Sequence, residues 1–161
     1  EEITEGKVSL QNIFLEVLEL VREYENKHKV SIPVIPAGGI YYGKDIAKYI
    51  MLGASGVQMA TRFVATYECD ADLEFKRAFL KAKKEDITLI KSPVGLPGRA
   101  IKNTFLEEVE KGEKKPFRCP WKCLRTCDYK VAPYCIALAL TNAQRGNMKY
   151  GFAFAGANAY L

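Results

Sequence analysis

The chain has 161 residues, of which 48% are hydrophobic and 27% are charged, an ordinary composition for a globular protein with one core. No apolar run reaches the roughly 18 residues of a membrane span, and the modest net charge of +5 does not by itself favour nucleic acid. The acidic opening Glu1–Glu5 differs from a signal peptide and the five cysteines suggest reduced thiols, so we expect a cytoplasmic protein.

A strand, a helix and a second strand are predicted early in the chain, after a first helix. Apolar residues at helical spacing predict that first helix over Leu10–Lys27, with Ser9 as its N-cap. Apolar runs predict strands over Ile32–Ala37 and Ser55–Ala60, and a short helix over Lys44–Leu52 lies between them. This order is typical of a βαβ unit, in which the two strands are parallel.

Small and polar residues close both predicted strands. Gly38 and Gly39 follow the first strand, and the quartet Gln58–Thr61 (Gln58, Met59, Ala60, Thr61) ends the second. Small residues let backbone N–H groups approach a phosphate closely, and Gly39 has no Cβ to block that approach. In a (β/α)8 barrel, the loops after strands 7 and 8 hold a phosphate at this position.

The two segments that carry these strand ends are similar to a known family. Ile32–Ile40 (IPVIPAGGI) and Gly53–Phe63 (GASGVQMATRF) resemble the FMN-binding half of nitronate monooxygenases, formerly called 2-nitropropane dioxygenases. Flavin-dependent enoyl-acyl carrier protein reductases II are related to that family. The resemblance implies that Gly39 and the quartet Gln58–Thr61 contact FMN. Ala60 stands where the family often has glycine. Because alanine keeps the backbone N–H, we expect this difference to have little effect on FMN binding.

The resemblance also implies the fold, the C-terminal half of an FMN-binding (β/α)8 TIM barrel followed by an α-rich extension. We expect residues 1–86 to be the barrel part with strands 7 and 8, and residues 87–161 to be a cysteine-rich extension near the barrel mouth. A complete barrel needs roughly 250 residues, so we expect this chain to be part of a longer polypeptide. The family's catalytic histidine has no match in the chain, and we expect it upstream.

After the second predicted strand, the sequence predicts helices at 71–84, 104–111 and 136–145. It also predicts a short extended run over Ile87–Ile90, a loop over Ser92–Arg99 rich in proline and glycine, and an apolar strand or buried loop over Gly151–Gly156. His28, the only histidine, is predicted to lie on the surface at a helix end. For Arg62 and Arg99 we weigh contact with an anion against ordinary surface pairing, which we favour.

Four cysteines in the extension raise the question of a metal. Cys119, Cys123, Cys127 and Cys135 could ligate zinc or an iron–sulfur cluster, but their spacing fits neither the usual zinc pairs nor the ferredoxin pattern. We therefore predict no metal. The same stretch, Lys111–Lys130, is basic with aromatic residues between the charges, and we favour a solvated face over a nucleic-acid surface or a docking surface for an acidic acyl carrier.

The resemblance implies an FMN-dependent oxidoreductase that carries out oxidative denitrification of alkyl nitronates. The alternative is NAD(P)H-dependent reduction of an enoyl thioester by the related reductases. A second alternative, of a different class, is a cysteine-rich module that binds metal or nucleic acid. A bound flavin would separate the two enzymes from the module.

Overall fold

The computed structural model describes residues 9–113, 118–119 and 121–161, which form a mixed α/β structure. Its elements in chain order are α1 (Leu10–His28), α2 (Gly43–Met51), α3 (Thr61–Val64), α4 (Leu73–Lys81), β1 (Ile87–Lys91), β2 (Pro97–Ile101), α5 (Thr104–Glu110) and α6 (Ile136–Gln144). Short 3-10 turns lie at Lys84–Asp86 and Met148–Tyr150. The chain divides into two compact units, one ending at Arg62 and one beginning at Phe63. None of the described helices is both long and apolar enough to cross a membrane.

Helix α1 begins and ends as its sequence predicts. The Ser9 hydroxyl accepts a hydrogen bond from the Asn12 N–H at 3.2 Å, which satisfies one of the free donors of the first turn. The helix ends where Lys29 adopts a left-handed conformation with φ 55°. Its buried face packs on α2, with the rings of Phe14 and Tyr49 edge to face at 5.5 Å. This contact is the centre of the first unit's core.

The two predicted strands of the first unit are not regular strands over these described residues. Only one parallel bridge forms, between Ala37 and Gln58. Two hydrogen bonds support it, from the Ser55 N–H to the Val34 carbonyl at 2.9 Å and from the Gln58 N–H to the Pro36 carbonyl at 3.0 Å. Proline has no N–H to donate, which limits the ladder that the first segment can form. The predicted strands are therefore wrong as regular elements, whereas their predicted parallel direction is confirmed.

The second unit is built on an antiparallel hairpin that the sequence prediction only half contains. Strand β1 confirms the predicted extended run, but β2 begins at Pro97, inside the predicted loop, and Pro97 pairs with Lys91 at the loop end of the hairpin. The loop prediction is thus wrong for its last three residues, because a proline at the first position of a strand costs no ladder bond. The segment after Gly151 is hydrogen-bonded to β2, since the Ile101 N–H donates to the Ala153 carbonyl at 3.1 Å.

The predicted helices of this unit form as the shorter helices α4, α5 and α6. They cover the hairpin with two groups of buried apolar residues: Ala100, Phe105, Leu106, Tyr134, Ala139 and Phe152 in one, and Phe79, Ile101, Ala153 and Ala159 in the other. Helix α4 thus shares a core with residues beyond 86. The predicted division at residue 86, between barrel and extension, stays a prediction about the complete protein.

Gly151 gives a direct test of this packing. Its backbone lies so close to α6 that an added Cβ would overlap the Ala139 carbonyl oxygen and come 2.9 Å from the Ala143 nitrogen. We expect Gly151→Ala to lower the free energy of unfolding by about 1–3 kcal/mol in urea titrations of the full-length protein. Gly43→Ala is the matched control, because a Cβ there meets nothing within 4 Å. Equal stability of the two variants would contradict this close approach.

Candidate functional site

The two predicted strand ends lie side by side in the first unit. Because Ala37 bridges Gln58 in the parallel sense, both segments leave the contact at the same edge. Gly38 and Gly39 follow on one side, and Met59, Ala60 and Thr61 follow on the other. The structure thus brings together the six residues predicted from sequence to form one site, all within the unit that ends at Arg62.

Both glycines adopt backbone conformations that other residues rarely take. Gly38 has φ 104° and Gly39 has φ 70°, so the chain turns sharply directly after the bridge. Both residues are exposed, and a Cβ added at either would meet no protein atom within 4 Å. Space for a ligand therefore remains directly in front of this turn.

The second segment presents a mixed surface to the same edge. Gln58 and Ala60 are exposed, whereas Met59 is half-buried and packs against the core of the first unit. Thr61 is half-buried and begins the one-turn helix α3. Met59 therefore anchors the segment to the core, while its neighbours Gln58 and Ala60 stay accessible.

Asp45 holds the loop that follows the glycine turn. Its carboxylate accepts hydrogen bonds from the Tyr42 N–H at 2.8 Å and the Tyr41 N–H at 3.1 Å. These two bonds, Tyr42 first, lower the pKa of Asp45 below its ordinary value of 3.8, with smaller contributions from Lys44 and Lys48 against the opposing effect of burial. The carboxylate therefore stays charged at neutral pH and fixes the start of α2. We did not predict this role from the sequence, although an acidic residue at the third helical position is a known capping signal.

Positive charge is also present beside the turn. The Arg62 guanidinium lies 5.2 Å from the centre of the Tyr41 ring, and the Lys44 ammonium lies 5.3 Å from the Tyr42 ring. Arg62 directly follows the quartet, so this stacking links the second segment to the loop held by Asp45. Two cations therefore stack on the tyrosines of the loop that follows the glycine turn, within the same unit.

Other predicted candidates lie elsewhere. His28 is exposed on α1 and stacks on Tyr24, with ring centres 4.1 Å apart, as expected for a surface residue at a helix end. Arg99 belongs to β2 of the second unit, where it pairs with Leu89. Of the basic stretch Lys111–Lys130, residues 114–117 and 120 lie outside the described part of the chain.

The four cysteines of the extension line one cavity of about 180 Å³: Cys119, Cys123, Cys127 and Cys135. Sequence spacing alone does not indicate this convergence. Among the described residues, no three cysteine, histidine or acidic side chains are arranged to hold a metal ion. The absence of a metal, predicted from the spacing, stays a prediction.

Comparisons with known proteins show which family the chain is similar to. Residues 3–161 match the family model for nitronate monooxygenase. A probable nitronate monooxygenase of Staphylococcus aureus is 40% identical over 84 residues, which are 52% of this chain and 24% of that protein. The chain thus spans about a quarter of the length of the curated relatives it matches.

Solved structures are similar along almost the whole chain. FabK from Thermotoga maritima has a TM-score of 0.64 and 30% identity, over 96% of this chain and 43% of FabK. A nitroalkane oxidase from Streptomyces ansochromogenes has a TM-score of 0.59 and 27% identity, over 98% of this chain and 42% of the oxidase. With the family model matching from residue 3 to residue 161, the chain belongs to the nitronate monooxygenase family.

Proposed function

We propose that the full-length protein is an FMN-dependent oxidoreductase that oxidises alkyl nitronates. Family membership and the likeness to a nitroalkane oxidase support this chemistry. The observation that carries the proposal is the parallel bridge between Ala37 and Gln58, because it brings the glycine turn and the quartet to one edge.

In this proposal, the FMN phosphate binds between Gly38-Gly39 and the quartet Gln58–Thr61. An FMN phosphate carries roughly two negative charges and several acceptor oxygens, which suit backbone N–H donors and nearby cations. The space in front of Gly39 and the two stacked cations Lys44 and Arg62 fit such a group. The exposed Gln58 side chain can both donate and accept hydrogen bonds toward the phosphate or the ribityl chain.

The residues of this chain would hold and orient the cofactor rather than transfer protons. The two-electron exchange between a nitronate and oxygen is the chemistry that bound FMN supplies. Asp45 keeps the glycine turn and the start of α2 in place, and Met59 fixes the quartet on the core. His28 stacks on Tyr24 at the surface, so we assign the catalytic base to the part of the protein that precedes this chain.

We further propose that the chain forms the last βα units of a (β/α)8 barrel together with an upstream part of the same polypeptide. The relatives' greater length supports this. The exposed apolar side chains of the segment before the glycine turn also support it, since Ile32 is 39% exposed and Ile35 is 54% exposed. Side chains of this type are buried in the strands of a complete barrel. A cytoplasmic location remains part of the same proposal.

The enoyl thioester reductase remains a second candidate. The likeness to FabK supports it only weakly, and the phosphate residues serve both reactions equally. The two differ in the electron donor, a nitronate in one case and NAD(P)H in the other. The family match over residues 3–161 favours either enzyme over a cysteine-rich binding module.

The phosphate assignment is tested by Gly39→Val in the full-length protein. The branched side chain fills the proposed phosphate position, and we expect FMN affinity to fall more than about tenfold, or roughly 1.4 kcal/mol, in fluorescence titrations. Ala60→Asp is a second variant without the strain of a left-handed backbone, and its carboxylate should repel the phosphate. Glu23→Ala, on the exposed face of α1, is the control. Unchanged FMN affinity in folded Gly39→Val and Ala60→Asp proteins would disprove the assignment.

The choice of electron donor is tested by anaerobic mixing of the oxidised full-length enzyme with ethylnitronate or with NAD(P)H. We expect the nitronate to bleach the flavin absorbance at least about tenfold faster, a difference of roughly 1.4 kcal/mol in barrier. Rapid bleaching by NAD(P)H, with turnover of an enoyl thioester and no response to nitronate, would establish the reductase instead.

A further inference from the structure

Four of the five cysteines surround one small cavity in the second unit. Besides the sulfur-bearing side chains, its walls are formed by Val94, Lys122, Leu124, Tyr129 and Ile136. All the cysteines are unpaired. A set of thiols that meet at a shared, solvent-connected cavity can react with one another, which isolated buried thiols cannot do.

The four thiols differ in access. Cys123 is exposed, Cys119 and Cys127 are half-buried, and Cys135 is buried. A dissolved oxidant would therefore reach Cys123 before the others. Lys122 and Arg125 lie one and two positions from this residue in sequence, so the chain around Cys123 carries positive charge.

Cys119 is positioned as the partner of Cys123. The Lys122 N–H donates a hydrogen bond to the Cys119 sulfur at 3.4 Å, so this sulfur lies against the backbone that leads into Cys123. Lys122 has φ 45°, a left-handed turn that curves the chain back toward Cys119 just before Cys123. Since Cys123 follows Lys122 directly, its Cα lies only about 3.8 Å from that of Lys122. The side chains of Cys119 and Cys123 both line the same cavity.

Cys127 is less suited to react. Burial first, and then the neighbouring thiols of Cys119, Cys123 and Cys135 with the Asp128 carboxylate, raise the pKa of Cys127 above its ordinary value of 9.0. It therefore stays protonated at neutral pH, and a protonated thiol is a poor nucleophile.

We propose that Cys123 and Cys119 form a reversible disulfide site that responds to hydroperoxides and holds no metal. The Cys123 thiolate attacks a peroxide oxygen, the O–O bond breaks, and a sulfenic acid forms as hydroxide or alkoxide leaves. The Cys119 thiolate then attacks the Cys123 sulfur, the S–S bond forms, the S–O bond breaks, and water leaves after protonation. The two sulfurs lose two electrons to the peroxide, and two molecules of a small thiol return them on reduction and become a disulfide themselves. This proposal is independent of the flavin assignment.

The chain is well suited to locating the disulfide, because trypsin places every cysteine of the cavity on its own peptide. Cleavage after Arg118, Lys122, Arg125 and Lys130 separates all four. The experiment treats reduced, desalted full-length protein with one equivalent of hydrogen peroxide, blocks free thiols with N-ethylmaleimide, and maps the linked peptides by mass spectrometry. We expect a Cys119–Cys123 link that dithiothreitol reverses. Cys123→Ser cannot form this link, and in that variant we expect peroxide to oxidise the remaining thiols of the cavity more than about tenfold more slowly.

Cys69→Ser is the matched control, since Cys69 lies outside the cavity and its loss should leave the link unchanged. Elemental analysis of anaerobically purified protein should find well under one zinc or iron per chain. A link that omits Cys123, a link from Cys123 to Cys127, or no link at one equivalent would overturn the proposal. Stoichiometric metal that disappears in Cys123→Ser would overturn it as well, and would establish a metal site in its place.

Discussion

The proposed site depends on two backbone hydrogen bonds, from Ser55 to Val34 and from Gln58 to Pro36. These bonds hold two irregular segments of the chain parallel, so that both segments leave the contact at one edge. Without them, the glycine turn and the quartet would belong to separate loops, and no group of ligand size would meet both. Each such bond contributes only about 0.5–1.5 kcal/mol, so the arrangement needs support from the packing around it.

That support comes from the core of the first unit. Phe14 and Tyr49 meet edge to face between α1 and α2, and Ile40, directly after the glycine turn, is buried in the same cluster. Asp45 holds the loop that follows the glycine turn, because its carboxylate accepts hydrogen bonds from two N–H groups of that loop. The glycine turn is thus held between a buried residue and a helix start, while its own surface stays open. A rigid frame around an accessible turn is what binding a cofactor phosphate requires.

Helices α1, α2, α4, α5 and α6 were predictable from sequence because each has apolar residues at helical spacing, and α1 also has the capping residue Ser9. The strands were less predictable. Proline removes hydrogen-bond donors from the segment before the glycine turn, and strand pairing depends on partners that the local sequence does not specify. Strand β2 was missed because Pro97 and Gly98 resemble a turn. Gly98 is in fact small because the Phe154 ring packs over it.

Some residues of the candidate site could likewise be predicted from the sequence, whereas others could not. The glycine pair and the quartet were recognised as small and polar ends of two apolar runs, and the family resemblance that they carry is confirmed. Their contact with FMN, which that resemblance implies, stays a prediction. The contacts of Asp45 and Arg62 could not be predicted from the sequence. Each is made with a tyrosine of the loop after the glycine turn, and packing sets the path of that loop. The convergence of the four cysteines likewise depends on a left-handed turn at Lys122, which sequence spacing does not reveal.

The most direct test of the central claim is a crystal structure of the full-length protein with its flavin bound. The account predicts phosphate oxygens at hydrogen-bond distance, about 2.7–3.2 Å, from groups of both Gly38-Gly39 and Gln58–Thr61. A flavin phosphate bound elsewhere, with the space in front of Gly39 filled by solvent or by protein, would contradict it.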